Sequence, residues 1–246
     1  MQNSTIKPNA AYGTHVGLVR TANEDACFAD AALGLWVVAD GMGGHAAGEI
    51  ASAIAIAEIT RATRQGESLP KAIESAHRAI HAAAEEGKGG WNMGSTVVAL
   101  KLDGLHYQIA WVGDSRAYVW DGSLRQLTKD HSYVQMLLDN GLIEADEVHS
   151  HPSRNIISQG LGVGGVDGKT VKVDLVEGDL TAGETLLLCS DGLTGEVDDA
   201  AIQSILTETE DNAEGVDHLI AAALAAGGSD NVTVILVTPE KQSQPG

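Results

Sequence analysis

The stretch Leu35-Trp36-Val37-Val38-Ala39-Asp40-Gly41-Met42-Gly43-Gly44-His45-Ala46-Ala47-Gly48 decides how this chain is read. Leu35 to Ala39 is an apolar run of strand length, Asp40 ends it, a glycine-rich turn follows, and a helical pattern begins near Ala46 or Ala47. A buried strand that ends in a carboxylate puts charge at the rim of a sheet, where it needs a cation, a hydrogen-bond donor or water. The same grammar recurs. Leu186 to Ser190 runs into Asp191-Gly192, and Trp111-Val112 runs into Gly113-Asp114. Near the end, Asp230-Asn231 precedes the apolar run Val232 to Val237. The four aspartates read as one cation-binding cluster. All-oxygen donors, with no Cys or His, suit hard ions such as Mg²⁺, Mn²⁺ or Ca²⁺ better than zinc.

Working outward, the pattern predicts strands over 12–20 and 26–30 before this stretch. After it come a helix over 47–64 and a second over 69–86, with Ser68 as its cap and Pro70 in its first turn. Four strands are then expected as one meander (94–102, 105–112, 115–120 and 123–127), with Asp103-Gly104 and Asp121-Gly122 as hairpin turns. Residues 128 to 169 differ. A short helix over 132–140 leads into a polar segment with two histidines and then five glycines between Gly160 and Gly168, which reads as a flap. Strands over 170–176, 185–190 and 231–237 and helices over 198–208 and 213–226 complete the chain. Helices come in pairs between groups of strands, so the sheets should be mostly antiparallel with helices outside them.

The chain has 246 residues, enough for one large domain, and its 43% hydrophobic content supplies a core. A formal net charge of −19 argues against nucleic acid or an anionic membrane as partner, since both need clustered Lys and Arg. Two cysteines permit one disulfide, yet Cys27 and Cys189 each sit in an apolar run, and buried free thiols in a reducing cytosol are expected. No stretch reaches the roughly 18 apolar residues of a membrane span. We expect a cytoplasmic monomer. Residues 1–10 and 240–246 are expected to be disordered, and 11–239 to form one domain with a flap subdomain at about 131–169.

Seven motifs occur in order: Arg20-Thr21-Ala22-Asn23-Glu24-Asp25, Val38-Ala39-Asp40-Gly41-Met42-Gly43-Gly44, Met93-Gly94-Ser95-Thr96, Val112-Gly113-Asp114-Ser115-Arg116-Ala117-Tyr118, Leu127-Thr128-Lys129-Asp130-His131-Ser132, Ser190-Asp191-Gly192-Leu193 and Gly228-Ser229-Asp230-Asn231. Together they resemble the metal-dependent protein phosphatases of the 2C type, in their bacterial branch, over about residues 12 to 238. The resemblance implies an α+β fold, a four-layer αββα sandwich of two mostly antiparallel sheets flanked by helix pairs. It implies two Mn²⁺ or Mg²⁺ ions, with a third at a weaker position, in a cleft at one edge of the sheets. Carried over, Asp40 bridges both ions, the Gly41 carbonyl binds the first, and Asp191 and Asp230 complete the second. Asp114 with Asp191 matches the third position. Glu24, Asp25 and Asn231 stand behind these ligands, and Arg20 grips substrate phosphate.

The implied reaction is hydrolysis of phosphoserine and phosphothreonine by hydroxide held between the ions, without a phosphoenzyme, opposing a bacterial Ser/Thr kinase. Animal relatives carry a histidine two residues after the bridging aspartate, where Met42 stands here. His45, three residues further on, is a candidate phosphate contact, and the general acid is unassigned. A second departure is Ser158-Gln159-Gly160-Leu161-Gly162, where relatives often have Arg-Ala before Leu-Gly.

Two other readings compete with this one. Gly41-Met42-Gly43-Gly44-His45-Ala46 fits a dinucleotide fingerprint, but a second helix rather than a second parallel strand follows the first. A catalytically silent phosphoprotein-binding module on the same fold would have damaged ligands, and all expected ligands are present.

Overall fold

The computed structural model describes residues 6–43, 46–90, 92–163, 170–181, 183–209 and 211–241. Strands β1 (Ile6–His15), β2 (Asp25–Asp30) and β3 (Leu35–Met42) precede helices α1 (Ala47–Arg64) and α2 (Leu69–Glu85). Then follow β4 (Gly94–Ser95), β5 (Val97–Asp103), β6 (His106–Val112), β7 (Arg116–Trp120) and β8 (Leu124–Gln126). Helix α3 (Tyr133–Asp139) opens the flap, and β9 (Asp174–Asp179) and β10 (Thr185–Cys189) follow it. Helices α4 (Asp191–Thr194), α5 (Asp199–Glu208) and α6 (Asn212–Ala226) lead to β11 (Val232–Lys241).

One sheet runs β1-β11-β10-β7-β8, the other β2-β3-β5-β6-β9 with β4 beside β3, and each of these neighbouring pairs is antiparallel. Successive side chains of a strand face opposite sides, and here both sides are dry. Leu35, Val37 and Ala39 of β3 pack with Ala51, Ile59, Ile73 and Ile80 of α1 and α2. Trp36 and Val38 join Val98, Ile109, Leu186, Leu188 and Ile235 between the sheets. Leu187, Cys189, Val234 and Leu236 turn to Leu193, Ile202, Val216 and Leu219 of α4 to α6. Three cores between four layers make the αββα sandwich. They also explain why antiparallel strands read as unbroken apolar runs rather than alternating ones.

Several boundaries differ from the sequence reading. Residues 6–10 are not frayed: β1 starts at Ile6 and pairs with β11 out to Lys241, while 16–20 is loop. Strand β3 runs past Asp40 because Gly41 and Met42 find partners in Ser95 and Gly94. The expected four-strand meander is two hairpins in different sheets, β5-β6 and β7-β8, with the chain crossing between sheets at 113–115. Two apolar faces meeting back to back reward that crossing, which local turn signals do not reveal. Ser68 sits at the N-cap of α2 without a side-chain capping bond, whereas Ser132, Asp198 and Asp211 cap their helices with side-chain oxygens.

Candidate metal centre

The edge of the sandwich where β3, the β6–β7 crossing, the end of β10 and the start of β11 come together carries a cleft of about 250 Å³. Arg20, Glu24, Asp40, Gly41, Asp114, Asp191 and Asp230 line it, with Met42, Thr96 and the flap residues Asn155 and Ile157. The sequence-predicted site therefore converges, from positions up to 210 residues apart. His45 lies outside the described residues.

Each acid is placed by its own element. Asp40 sits in β3 opposite Asp25 of β2; its carbonyl accepts from the Thr96 N–H at 2.8 Å and from the Ser95 hydroxyl at 3.0 Å. Asp191 starts α4 directly after β10. Gly192 lets that turn press against β11, because a Cβ there would lie 1.9 Å from the Asn231 carbonyl oxygen. Gly41 is as tightly placed, 2.1 Å from the Gly48 carbonyl oxygen by the same measure. Its N–H donates to the Glu24 carbonyl at 3.1 Å, tying the residue before β2 to the end of β3.

Asp25 goes deeper than a supporting position suggests. It is buried, and one carboxyl oxygen accepts from Ser190 Oγ at 2.8 Å and Thr233 Oγ1 at 2.6 Å. The other, Oδ1, is buried with no hydrogen-bond partner among the described residues. Asn231 acts as a staple. Its Nδ2 donates to the carbonyls of Val16 and Ala22 at 2.9 and 3.0 Å, and its Oδ1 accepts from the Glu24 N–H at 2.7 Å. The loop so closed carries Arg20, whose guanidinium donates to Asp230 Oδ2 at 2.6 Å.

Burial and mutual repulsion dominate the electrostatics. Burial, reinforced by Asp25, Asp191 and Asp114, holds the Asp40 carboxyl well above its ordinary range. Burial and Asp191 push Asp114 up to about 8. Asp25 rises to about 7 through burial, against the Thr233 and Ser190 hydrogen bonds that favour its charged form. Burial and Asp230 raise Asp191, partly opposed by a hydrogen bond shared with Asp40. The half-exposed Glu24 is raised by burial and eased by the Gly48 backbone.

Among the described residues, no three His, Cys, Asp or Glu side chains stand as a finished ligand set. The reason is visible in the contacts: Asp230 is turned onto Arg20, and Asp25 onto Ser190 and Thr233. The donor chemistry nevertheless fits divalent cations. Several carboxylates share a buried space, Arg20 is the cation that pairs with them in the cleft among the described residues, and the raised pKa values of Asp25, Asp40, Asp114 and Asp191 mark a lack of positive charge that hard cations would supply.

The cleft has lining residues outside the predicted ligand set. Thr96 stands behind Asp40 and shares a 2.7 Å hydroxyl contact with Ser115; the Met93-Gly94-Ser95-Thr96 motif was the signal for it. Asn155 and Ile157 reach the cleft from the flap, and no local pattern in that polar segment announces them. His77 and His81, one turn apart on α2, turn to different partners: His77 Nδ1 accepts from the Gly162 N–H at 3.1 Å, and His81 Nδ1 lies 3.7 Å from Glu85 Oε1.

The fold class is thus a four-layer αββα sandwich with a buried acidic centre at one sheet edge. The sequence profile of the Protein phosphatase 2C family matches residues 13–226, and the chain belongs to that family. It is 41% identical over 227 residues to the serine/threonine protein phosphatase PstP of Mycobacterium tuberculosis, covering 89% of this chain and 43% of PstP. The chain thus spans less than half of that relative's length. It is 39% identical to the serine/threonine phosphatase stp of Listeria innocua, over 82% of each. The crystal structure of the PstP catalytic domain in complex with two manganese ions superposes with a TM-score of 0.86 at 37% identity, covering 96% of this chain and all of that one.

Proposed function

We propose that this chain is a metal-dependent protein phosphatase that hydrolyses phosphoserine and phosphothreonine in proteins. The observation that carries the reading is the meeting of Asp40, Asp114, Asp191 and Asp230 with Arg20 in one cleft. The manganese-bound relative supports two Mn²⁺ or Mg²⁺ ions as the cofactor. Asp40, the Gly41 carbonyl, Asp191 and Asp230 would hold the two ions, and Asp114 with Asp191 a third. When bound, such a pair lowers the pKa of water from 15.7 toward about 7 and balances phosphoryl charge.

The chain's own residues do the rest. Arg20 is about half exposed at the mouth of the cleft, so its guanidinium can exchange Asp230 for a substrate phosphate. Asn231 holds the loop that delivers it. Asp25 stands behind Asp40 as a buried counter-charge to whatever cation Asp40 holds, oriented by Ser190 and Thr233. Glu24, beside Gly48, faces the cleft with the charge to order water there. Met42 and Ile157 supply the apolar wall against which a phosphorylated side chain can rest. The described lining contains no Cys or His, and the Thr96 hydroxyl is engaged by Ser115, which favours attack by water over a covalent intermediate.

The catalytic domain in this reading takes in the chain from β1 at Ile6 to the end of β11 at Lys241, with the segment that opens at about residue 131 as its flap, acting as a monomer that opposes a Ser/Thr kinase. We place it in the cytoplasm. Cys27 and Cys189 are free thiols, and among the described residues no helix is long and apolar enough to cross a membrane. The test is release of phosphate from a phosphothreonine peptide with Mn²⁺, then with chelator. Metal-dependent turnover is expected; binding of the peptide without turnover would favour the silent binding module.

A further inference from the structure

The Asp130-His131-Ser132 motif has no part in the chemistry above, yet the His131 ring occupies a junction. It is 8% exposed and stacks on Trp111, centroids 6.2 Å apart and planes 23° from parallel. The Gly113 N–H donates to its Nδ1 at 3.1 Å, and the His131 N–H donates back to the Gly113 carbonyl at 2.9 Å. This two-bond ring grips the residue just before Asp114. With Nδ1 accepting, a neutral ring carries its proton on Nε2, which faces Asp174 Oδ2 at 3.4 Å.

The same residue holds the flap. Its carbonyl accepts from the Ser158 N–H at 2.7 Å, Ser132 bridges to Ile157, and the Tyr133 N–H donates to the Ile156 carbonyl at 2.8 Å. The far end of the flap is anchored separately. Leu161 exchanges two backbone bonds with Ser95, of 2.7 and 3.1 Å, and the Ser95 hydroxyl donates to the Asp40 carbonyl. The flap root therefore hangs between the Asp40 strand and the Asp114 loop, and His131 is its tie to the second.

We propose that His131 is a positioning residue that couples docking of the flap to the placement of Asp114. Without an acceptor at the Nδ1 position the Gly113 N–H is left buried and unpaired, a costly state that the crossing can relieve only by moving. Moving it shifts Asp114 and slackens the Ser158 contact beside Ile157. The effect on turnover rests on the phosphatase reading; the coupling itself does not.

The test compares His131→Phe, His131→Gln and His131→Asn in the full chain, by amide hydrogen exchange and by kinetics on a phosphothreonine peptide. Phe keeps the stack without an acceptor. Gln can reach toward Asp174, and Asn puts its Oδ1 near the place of Nδ1. In the Phe and Gln variants, exchange at Gly113, Asp114 and Ser158 is expected to rise together by about tenfold. Their kcat should fall by about tenfold with KM changed less than about threefold, and Asn should recover most of both. Wild-type exchange at Gly113 in the Phe variant, loosening of Ser158 without Asp114, or an Asn variant no better than Phe would each overturn the proposal. If the Phe variant also loses protection in α6, equal exchange in the Asn and Gln variants overturns it, and slower exchange in Asn upholds it. A wild-type chain without turnover would sink the phosphatase reading and leave exchange to decide the coupling.

Discussion

Loading the metal-free protein with Mg²⁺ at pH 7 is expected to expel protons. Asp114, pushed up to about 8, is then mostly protonated, and Asp25, at about 7, partly so. Asp40 is raised as well, by burial and three neighbouring acids. Cations that require these groups ionised should therefore release about one to two protons per chain, more if Asp40 contributes fully, and fewer as the pH climbs toward 9. Titration calorimetry in two buffers of different ionisation enthalpy counts them. The sign for stability follows. Each pKa is raised on folding, so between pH about 4 and about 8 the folded chain holds protons that the unfolded chain has lost. The contribution of these acids to stability is present at the acid end of that window and declines as pH rises through it. Metal-free protein should thus melt at a higher temperature near pH 6 than near pH 8 as far as this cluster is concerned, and Mg²⁺ should narrow the gap. At a hundredfold excess over its Kd, a cation adds about 2.7 kcal/mol, or roughly 5–10 °C for a domain of this size. Heats of Mg²⁺ binding that do not depend on the buffer at pH 7 would refute the reasoning, because the cluster would then already be ionised.

Three substitutions probe the remaining parts. Asp191→Asn should cut phosphopeptide turnover by about a hundredfold or more and abolish the Mg²⁺-induced rise in Tm. It should leave the metal-free Tm unchanged or higher, since one mutually repelling charge is gone; a retained rate removes Asp191 from the site. Arg20→Ala should raise KM by about tenfold with kcat nearly constant. Its partly exposed pair with Asp230 should add no more than about 1 kcal/mol to stability, readable by urea denaturation. Asn231→Ala removes three hydrogen bonds around the Val16–Glu24 loop, at about 3 kcal/mol in all, and should raise KM as Arg20→Ala does. A melt unchanged from wild type would show that the staple is dispensable.

How far the sequence carries can be seen residue by residue. Helix α1 was legible to its ends because its apolar spacing and the acid in its first turn are local facts. Strands β3 and β10 were legible as apolar runs leading into Asp-Gly, although β3 itself goes on to Met42. The strand expected over 94–102 is divided at Thr96 into β4 and β5, and that division was not legible, because Gly94 and Ser95 pair with Met42 and Gly41 beyond Asp40, a contact set by register rather than by propensity. Nor was β1 below Tyr12: residues 6–10 look like a polar tail and become a strand only because β11 lies beside them.

By itself the sequence determined which residues could carry charge to a strand end, and that several aspartates do so next to glycine. Those are properties of a short window, governed by side-chain period and turn chemistry. Only the tertiary structure decided that the chain changes sheets at Gly113, that Asn231 closes the Arg20 loop, and that Asn155 and Ile157 reach the cleft. The reason is that these contacts join segments tens to hundreds of residues apart. What selects them is the burial of both faces of two sheets at once, a condition that no single segment contains.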